Sequence, residues 1–178
     1  MENVVYKTLS SLKERLDENK QLVVNLFDGF SFVAKFNFNS PESIENINEF
    51  SVKNNIVIPN DYKDFLLLHN GAELFKGEYA APIKLYSLEE IICNITSYPL
   101  PDGFLPIGYY PDTGFIMINS NDVINNESNY IWILDTDPIN LKCNFKTWLN
   151  RIIVAQGMNY WEWYSEIVPL DSIRNQKK

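Results

Sequence analysis

The chain of 178 residues contains one histidine, His69, so any Ser-His-Asp or Cys-His arrangement must pass through it. His69 falls in the last turn of a predicted helix, where an imidazole can meet free carbonyls. No nucleophile elbow accompanies it, and neither Cys93 nor Cys143 has a catalytic context. Asp135-Thr136-Asp137 follows a predicted strand and precedes Pro138, which suits a metal or nucleotide-sugar motif and equally an acidic turn. A calcium loop would need more oxygen ligands and a glycine there, and Ile139 and Leu141 deny it. Glu89 and Glu90 form a carboxylate pair, but neighbours on a helix point in different directions. The seven glycines are scattered and never take the spacing of a phosphate loop or dinucleotide fingerprint. The expectation is a protein without a catalytic centre, metal or cofactor.

Charge is the more informative property. The net charge is −8, unevenly placed. Residues 1–59 carry 8 acids and 6 bases, residues 60–137 carry 12 and 3, and residues 138–178 carry 3 and 6. Nucleic acid is not the expected partner, because phosphate binding needs clustered Lys and Arg. A basic protein is the natural opposite number, although an acidic surface also serves solubility alone. The longest apolar runs, such as Phe65 to Leu68 and Ile152 to Ala155, are too short to span a bilayer. Met1-Glu2-Asn3 lacks the basic patch and apolar stretch of a signal peptide, so the expected compartment is the cytoplasm and the expected cysteines are reduced.

The elements that position these residues follow from periodicity. Val5, Leu9, Leu12 and Leu16 predict a first helix. Gln21 to Phe27 and Phe30 to Phe38 predict a hairpin about the two-residue turn Asp28-Gly29, with Val23, Phe27, Phe30, Phe32, Ala34 and Phe36 facing the core. Ser40-Pro41-Glu42 predicts one helix start, with Ile44, Ile47 and Phe50 inward. Pro59-Asn60-Asp61 predicts another, carrying Tyr62, Phe65, Leu66 and His69 to a stop at Asn70-Gly71. Ile83 to Tyr86, Gly114 to Asn119 and Tyr130 to Asp135 read as strands, the last two joined by a polar loop over 120–129. Phe145, Trp148, Leu149, Ile152 and Ile153 define a final helix. An aromatic tail follows, in which Tyr160, Trp161 and Tyr164 suit packing and Trp163 suits exposure. Helices at both ends of a run of strands make the class α+β, a single domain over 1–178 with a mostly antiparallel central sheet flanked by helices.

Ser40-Pro41-Glu42-Ser43-Ile44, then Ile58-Pro59-Asn60-Asp61-Tyr62-Lys63-Asp64-Phe65-Leu66, then His69-Asn70-Gly71-Ala72 together resemble the signature of the SUKH superfamily. That superfamily includes Smi/Knr-type yeast cell-wall regulators and many bacterial toxin-immunity proteins. Leu85 to Ile91, Phe104 to Gly108 and Phe145 to Leu149 resemble its later segments, in the right order. The resemblance spans roughly residues 40–155, leaving 1–39 as an N-terminal helix and hairpin extension and 156–178 as the aromatic tail. It implies that Pro59, Tyr62, Phe65, Leu66, Asn70 and Gly71 are structural, and that the protein binds another protein.

On that resemblance, the first expectation is an immunity-type binder that occludes a basic toxin, often a nuclease. Its contacts would be Glu73, Glu78, Glu89, Glu90, Asp112, Asp122, Asp135 and Asp137, chosen for charge and predicted loop position, with Trp163 as an aromatic anchor. The alternative is a regulator that acts as a scaffold for endogenous cell-wall or signalling proteins.

Overall fold

The computed structural model describes residues 3–26, 29–134 and 138–163. Eight strands form one antiparallel meander in which each strand pairs with its neighbours in sequence. They are β1 (Gln21–Asn25), β2 (Ser31–Phe38), β3 (Ala72–Lys76), β4 (Ile83–Leu85), β5 (Phe104–Tyr110), β6 (Gly114–Asn119), β7 (Ile131–Leu134) and β8 (Pro138–Asn140). Helices interrupt the meander without changing its order. Helix α1 (Val4–Glu14) precedes it, and α2 (Ile44–Asn54) and α3 (Asn60–Leu66) lie between β2 and β3. Helix α4 (Leu88–Ser97) separates β4 from β5, α5 (Ser120–Ile124) separates β6 from β7, and α6 (Phe145–Val154) follows β8. A 3-10 turn, Tyr160–Glu162, comes last. The class is α+β, as the residue pattern implies.

Each longer helix begins on a side chain that satisfies an otherwise orphaned N–H. Asn3, Ser43 and Asn144 accept from the backbone of Tyr6, Asn46 and Thr147, at 3.0, 3.1 and 3.1 Å. Ser87 and Glu90 form a reciprocal capping box at the start of α4.

Strand alternation gives the sheet two unlike faces. The inner face, including Ala34, Phe36, Leu85, Leu105, Ile116, Ile118, Ile131 and Ile133, is buried. These side chains join the core cluster with Leu9 and Leu12 of α1, Tyr62 and Phe65 of α3, and Phe145, Trp148 and Leu149 of α6. On the outer face, a row of directly opposed residues crosses seven strands: Asn37, Glu73, Lys84, Tyr109, Phe115, Leu134 and Pro138. Three polar residues thus give way to four apolar ones along a single line.

Several sequence expectations are corrected. The hairpin register pairs Val23 with Val33 and Val24 with Phe32, one residue away from the expected alignment. Leu26 N–H donates to the Phe30 carbonyl at 2.7 Å, so three residues close the loop, with Gly29 at φ 88°. The one-residue slip leaves Phe32, Ala34 and Phe36 facing inward but turns the first strand over. Val24 is buried, whereas Val23 and Phe30 are 62% and 71% exposed. Phe27 lies outside the described residues. Helix α2 starts at Ile44 rather than at Ser40-Pro41-Glu42, because Ser43 is the residue whose side chain caps it. Ile47 is buried and Ile44 is exposed. Helix α3 ends at Leu66, before Asn70-Gly71. The predicted polar loop over 120–129 contains α5.

The exposed edge at β1 is blunted at both ends. Asp17 accepts from Gln21 N–H through Oδ1 at 2.8 Å, and its own N–H donates to the Gln21 carbonyl at 2.9 Å. Asn25 N–H donates to Oε1 of Gln156 at 2.8 Å.

Two glycines with positive φ separate backbone strain from crowding. A Cβ on Gly71, at φ 98°, would stand 3.0 Å from Ser87 N and 3.1 Å from Leu85 O, both backbone atoms. A Cβ on Gly29, at φ 88°, would meet nothing within 4 Å. Gly29→Ala should lower stability by about 1 kcal/mol from the left-handed backbone alone, and Gly71→Ala by at least about twice that. Urea unfolding of both variants measures the difference; equal losses would show that the backbone around Gly71 gives way freely.

Candidate partner-binding surface

The signature residues are consumed in holding elements together. Asn70 is bonded on every polar group. Its Nδ2 donates to Glu42 Oε2 at 2.8 Å, and its Oδ1 accepts from Leu88 N–H at 2.9 Å. Its backbone N–H donates to the Ser40 carbonyl at 2.9 Å, and its carbonyl accepts from Asn39 Nδ2 at 2.7 Å. One residue therefore joins the end of β2, the lead into α2 and the first turn of α4. Gly71 follows with no room for a side chain, and its carbonyl accepts from Asn39 N–H at 3.1 Å.

Asp61, at the start of α3, makes a second junction. Its Oδ1 accepts from the Tyr130 hydroxyl and from Tyr62 N–H at 3.0 Å, and its Oδ2 accepts from Lys146 N–H at 3.0 Å. The carboxylate thereby ties α3 to the residue leading β7 and to the first turn of α6. Burial, followed by the Asp61 carboxylate, raises the Tyr130 phenol pKa well above the usual range. Tyr62 is fully buried, its ring 4.9 Å from Phe145 and 6.0 Å from Phe65, and Leu66 is fully buried as well. Pro59, also buried, sets the entry into α3 at φ −67°.

His69 is likewise occupied. Nδ1 lies 2.7 Å from the Asn39 carbonyl and Nε2 lies 2.6 Å from Lys13 Nζ. A carbonyl can only accept and an ammonium can only donate, so the proton sits on Nδ1 and the ring is neutral. The imidazole stands 4.9 Å from Phe38 and 6.5 Å from Phe65, joining α1 to the chain between α3 and β3.

The acids expected to contact a partner do not converge. Glu73 lies on β3, where Asn37 Nδ2 at 2.8 Å and Lys76 Nζ at 3.3 Å donate to its carboxylate. The Asn37 bond first, then Lys76, holds that carboxyl below its usual pKa. Glu78 is exposed in the β3–β4 loop. Glu90 belongs to the capping box and pairs with Lys84 at 2.5 Å, so its charge is engaged within the fold. The adjacent Glu89 is exposed and lines a groove of about 480 Å³ between α2 and α4, together with Glu49, Lys53, Phe50 and Ile92. Asp112 occupies the β5–β6 turn at φ 58°. Asp122, on α5, accepts from Trp132 Nε1 at 3.2 Å. The length of β6 separates these two, roughly 20 Å at strand rise. Asp135 and Asp137 lie outside the described residues. Trp163 is 45% exposed and borders a groove of about 590 Å³ whose cations are Lys142 and Arg151. The aromatic anchor named from sequence thus stands in basic surroundings. Trp132, Tyr109 and Tyr98 escaped notice, because their common face depends on strand register. Ser87-x-x-Glu90 was readable as a capping box and would have reassigned Glu90.

An antiparallel meander with its helices inserted between strands, pinned by an Asn-Gly junction and an aspartate junction, defines a compact α+β class of domain. The chain belongs to the SMI1/KNR4 family (SUKH-1), whose sequence profile matches residues 41–151. It is 33% identical over 176 residues to the uncharacterized protein YobM of Bacillus subtilis (strain 168), covering 92% of this chain and 94% of that one. It is 38% identical over 134 residues to the uncharacterized protein YnaB of the same organism, covering 72% and 88%. No helix among the described residues is long and apolar enough to cross a membrane.

The imidazole contact makes stability depend on pH. Burial first, then the charges of Lys13 and Lys20, lower the His69 pKa below its usual value near 6.5. Below that value the unfolded chain takes up the proton more readily than the folded one, so this contribution is full above about pH 6.5 and declines as pH falls toward the folded pKa. His69→Gln should flatten the pH dependence of stability between about pH 7 and 5.5, measured by thermal melts. An unchanged slope would assign it to carboxylates instead.

Proposed function

We propose that the protein is a non-enzymatic, cytoplasmic binding domain that neutralises a basic protein toxin, of the nuclease kind, by covering its active site. The observation that carries this reading is the charge of one long stretch of the chain. From Leu85 to Leu141 the sequence has eight acids and no lysine or arginine. That stretch spans α4, β5, β6, α5, β7 and β8. Carboxylates spread over such a surface create a negative potential that attracts a cationic protein from a distance and accelerates capture. A nuclease site lined with cations for phosphate is the complementary surface, and acids occupying it exclude the substrate. The family supports a binding role, and the polar network of the signature is spent on the fold.

The test is a pull-down from the native host at low and moderate salt, with bound proteins identified by mass spectrometry. The expected result is one dominant basic protein whose toxic activity is suppressed when this protein is added. Its affinity should fall with salt, and should fall at least about tenfold when Glu89, Asp112 and Asp122 are replaced together by their amides, with the fold retained. Several endogenous cell-wall or signalling proteins, each held weakly, would replace this reading with a regulator that acts as a scaffold.

A further inference from the structure

We infer that the outer face of β5–β7 is the surface on which a basic protein docks, with its arginine side chains stacked on the exposed rings of that face. This rests on the reading of a basic partner given above and assigns it a place.

The strand pairings bring together aromatic residues that are far apart in sequence. Tyr109 opposes Phe115 on this face, and Met117 opposes Trp132 in the next row. Tyr98, the residue that ends α4, completes the patch. Its ring lies 5.1 Å from Phe115, which lies 5.7 Å from Tyr109, both edge to face. Phe104 meets Trp132 edge to face at 5.6 Å across β6. Met117 is wholly buried yet stands outside the core cluster. Tyr98 and Tyr109 remain 51% and 41% exposed. The rings brace one another, and Asp122 holds the Trp132 indole, so little side-chain freedom is left to lose on binding.

The surroundings select the partner. Asp112 and Asp122 stand at opposite ends of β6, and no cation occurs between Leu85 and Leu141 to cover the rings. The nearest cation in the cross-strand row, Lys84, is held by Glu90 at 2.5 Å. Rings with electron-rich faces and carboxylates at the margin match a guanidinium, which stacks and hydrogen-bonds at once. The groove beside Trp163 carries Lys142 and Arg151 and repels such a partner. The groove between α2 and α4 has acids but only Phe50 as an aromatic wall, together with Lys53.

The experiment is a titration of the ¹⁵N-labelled protein with a capped octapeptide of alternating arginine and leucine at about 20 mM salt, beside a glutamate–leucine control. The expected result is a saturable shift of the Trp132 indole N–H and of the β5–β7 amides, absent with the control. Tyr98→Ala with Tyr109→Ala should weaken binding at least about tenfold, and Tyr98→Phe with Tyr109→Phe should preserve it. Shifts centred on the α2–α4 groove, around Glu49 and Glu89, would overturn this face and leave the basic-partner reading standing. An arginine peptide that produces no saturable shift, or a glutamate peptide that binds as well, would overturn both.

Discussion

The fold depends on the hydrogen bonds of Asn70. A meander of eight strands has no difficulty pairing neighbours, but this one must carry α2 and α3 out of the sheet after β2 and return the chain to β3. The Asn70 side chain bonds to Glu42 on the outgoing arm and to Leu88 at the start of α4, while its backbone bonds to Ser40 and Asn39. These groups are partly buried, and an unpaired amide there would lose its solvation without compensation. A primary amide offers a donor and an acceptor on two separate atoms of one short side chain, which an ionised aspartate or a leucine cannot do. Gly71 is the geometric counterpart, since the backbones it would crowd are those the amide draws together.

Asp61 performs the same task at the other end of α3. The helix has only seven residues, too few to be stable by itself, and packing together with two junctions holds it in place. The acid of the signature is thus an acceptor for Tyr130 and for the N-terminal turn of α6, and no reacting group is needed to account for it. His69 follows the same logic, as both of its nitrogens are engaged by α1 and by the end of β2.

How much of this was legible from sequence depends on the range of the interactions. Helices α1 and α6 were readable because their apolar residues recur at helical spacing, and β6 because four of its six residues, Phe115 to Ile118, are apolar in an unbroken run. The hairpin was readable as an element but not in register, since Asp28-Gly29 suits both a two-residue turn and the end of a three-residue loop. Strand β4 was readable from Ile83 to Tyr86, whereas β3 hides because Phe75 takes φ 57° and breaks the alternation, and β8 hides because three residues carry no period. The candidate surface was the least legible, because it depends on pairing between distant segments. Acids chosen by charge proved to include Glu90, which is tied to Ser87 and Lys84, while the outer-face rings were invisible without the pairing of successive strands.

A division of labour follows from the two faces of the sheet. Residues that must stay fixed for the chain to fold lie on the inner face and at the helix junctions, where every substitution meets a packed or bonded neighbour. Tyr109 on the outer face and Tyr98 beside it meet solvent, with Met117 buried beneath the neighbouring rings, and the fold constrains the exposed rings mainly through strand propensity and contact with one another. Such a surface can change its chemistry without disturbing Asn70, Gly71 or Asp61. A scaffold of this kind suits proteins that must each recognise a different partner, because specificity can be rewritten on one face while stability is kept on the other.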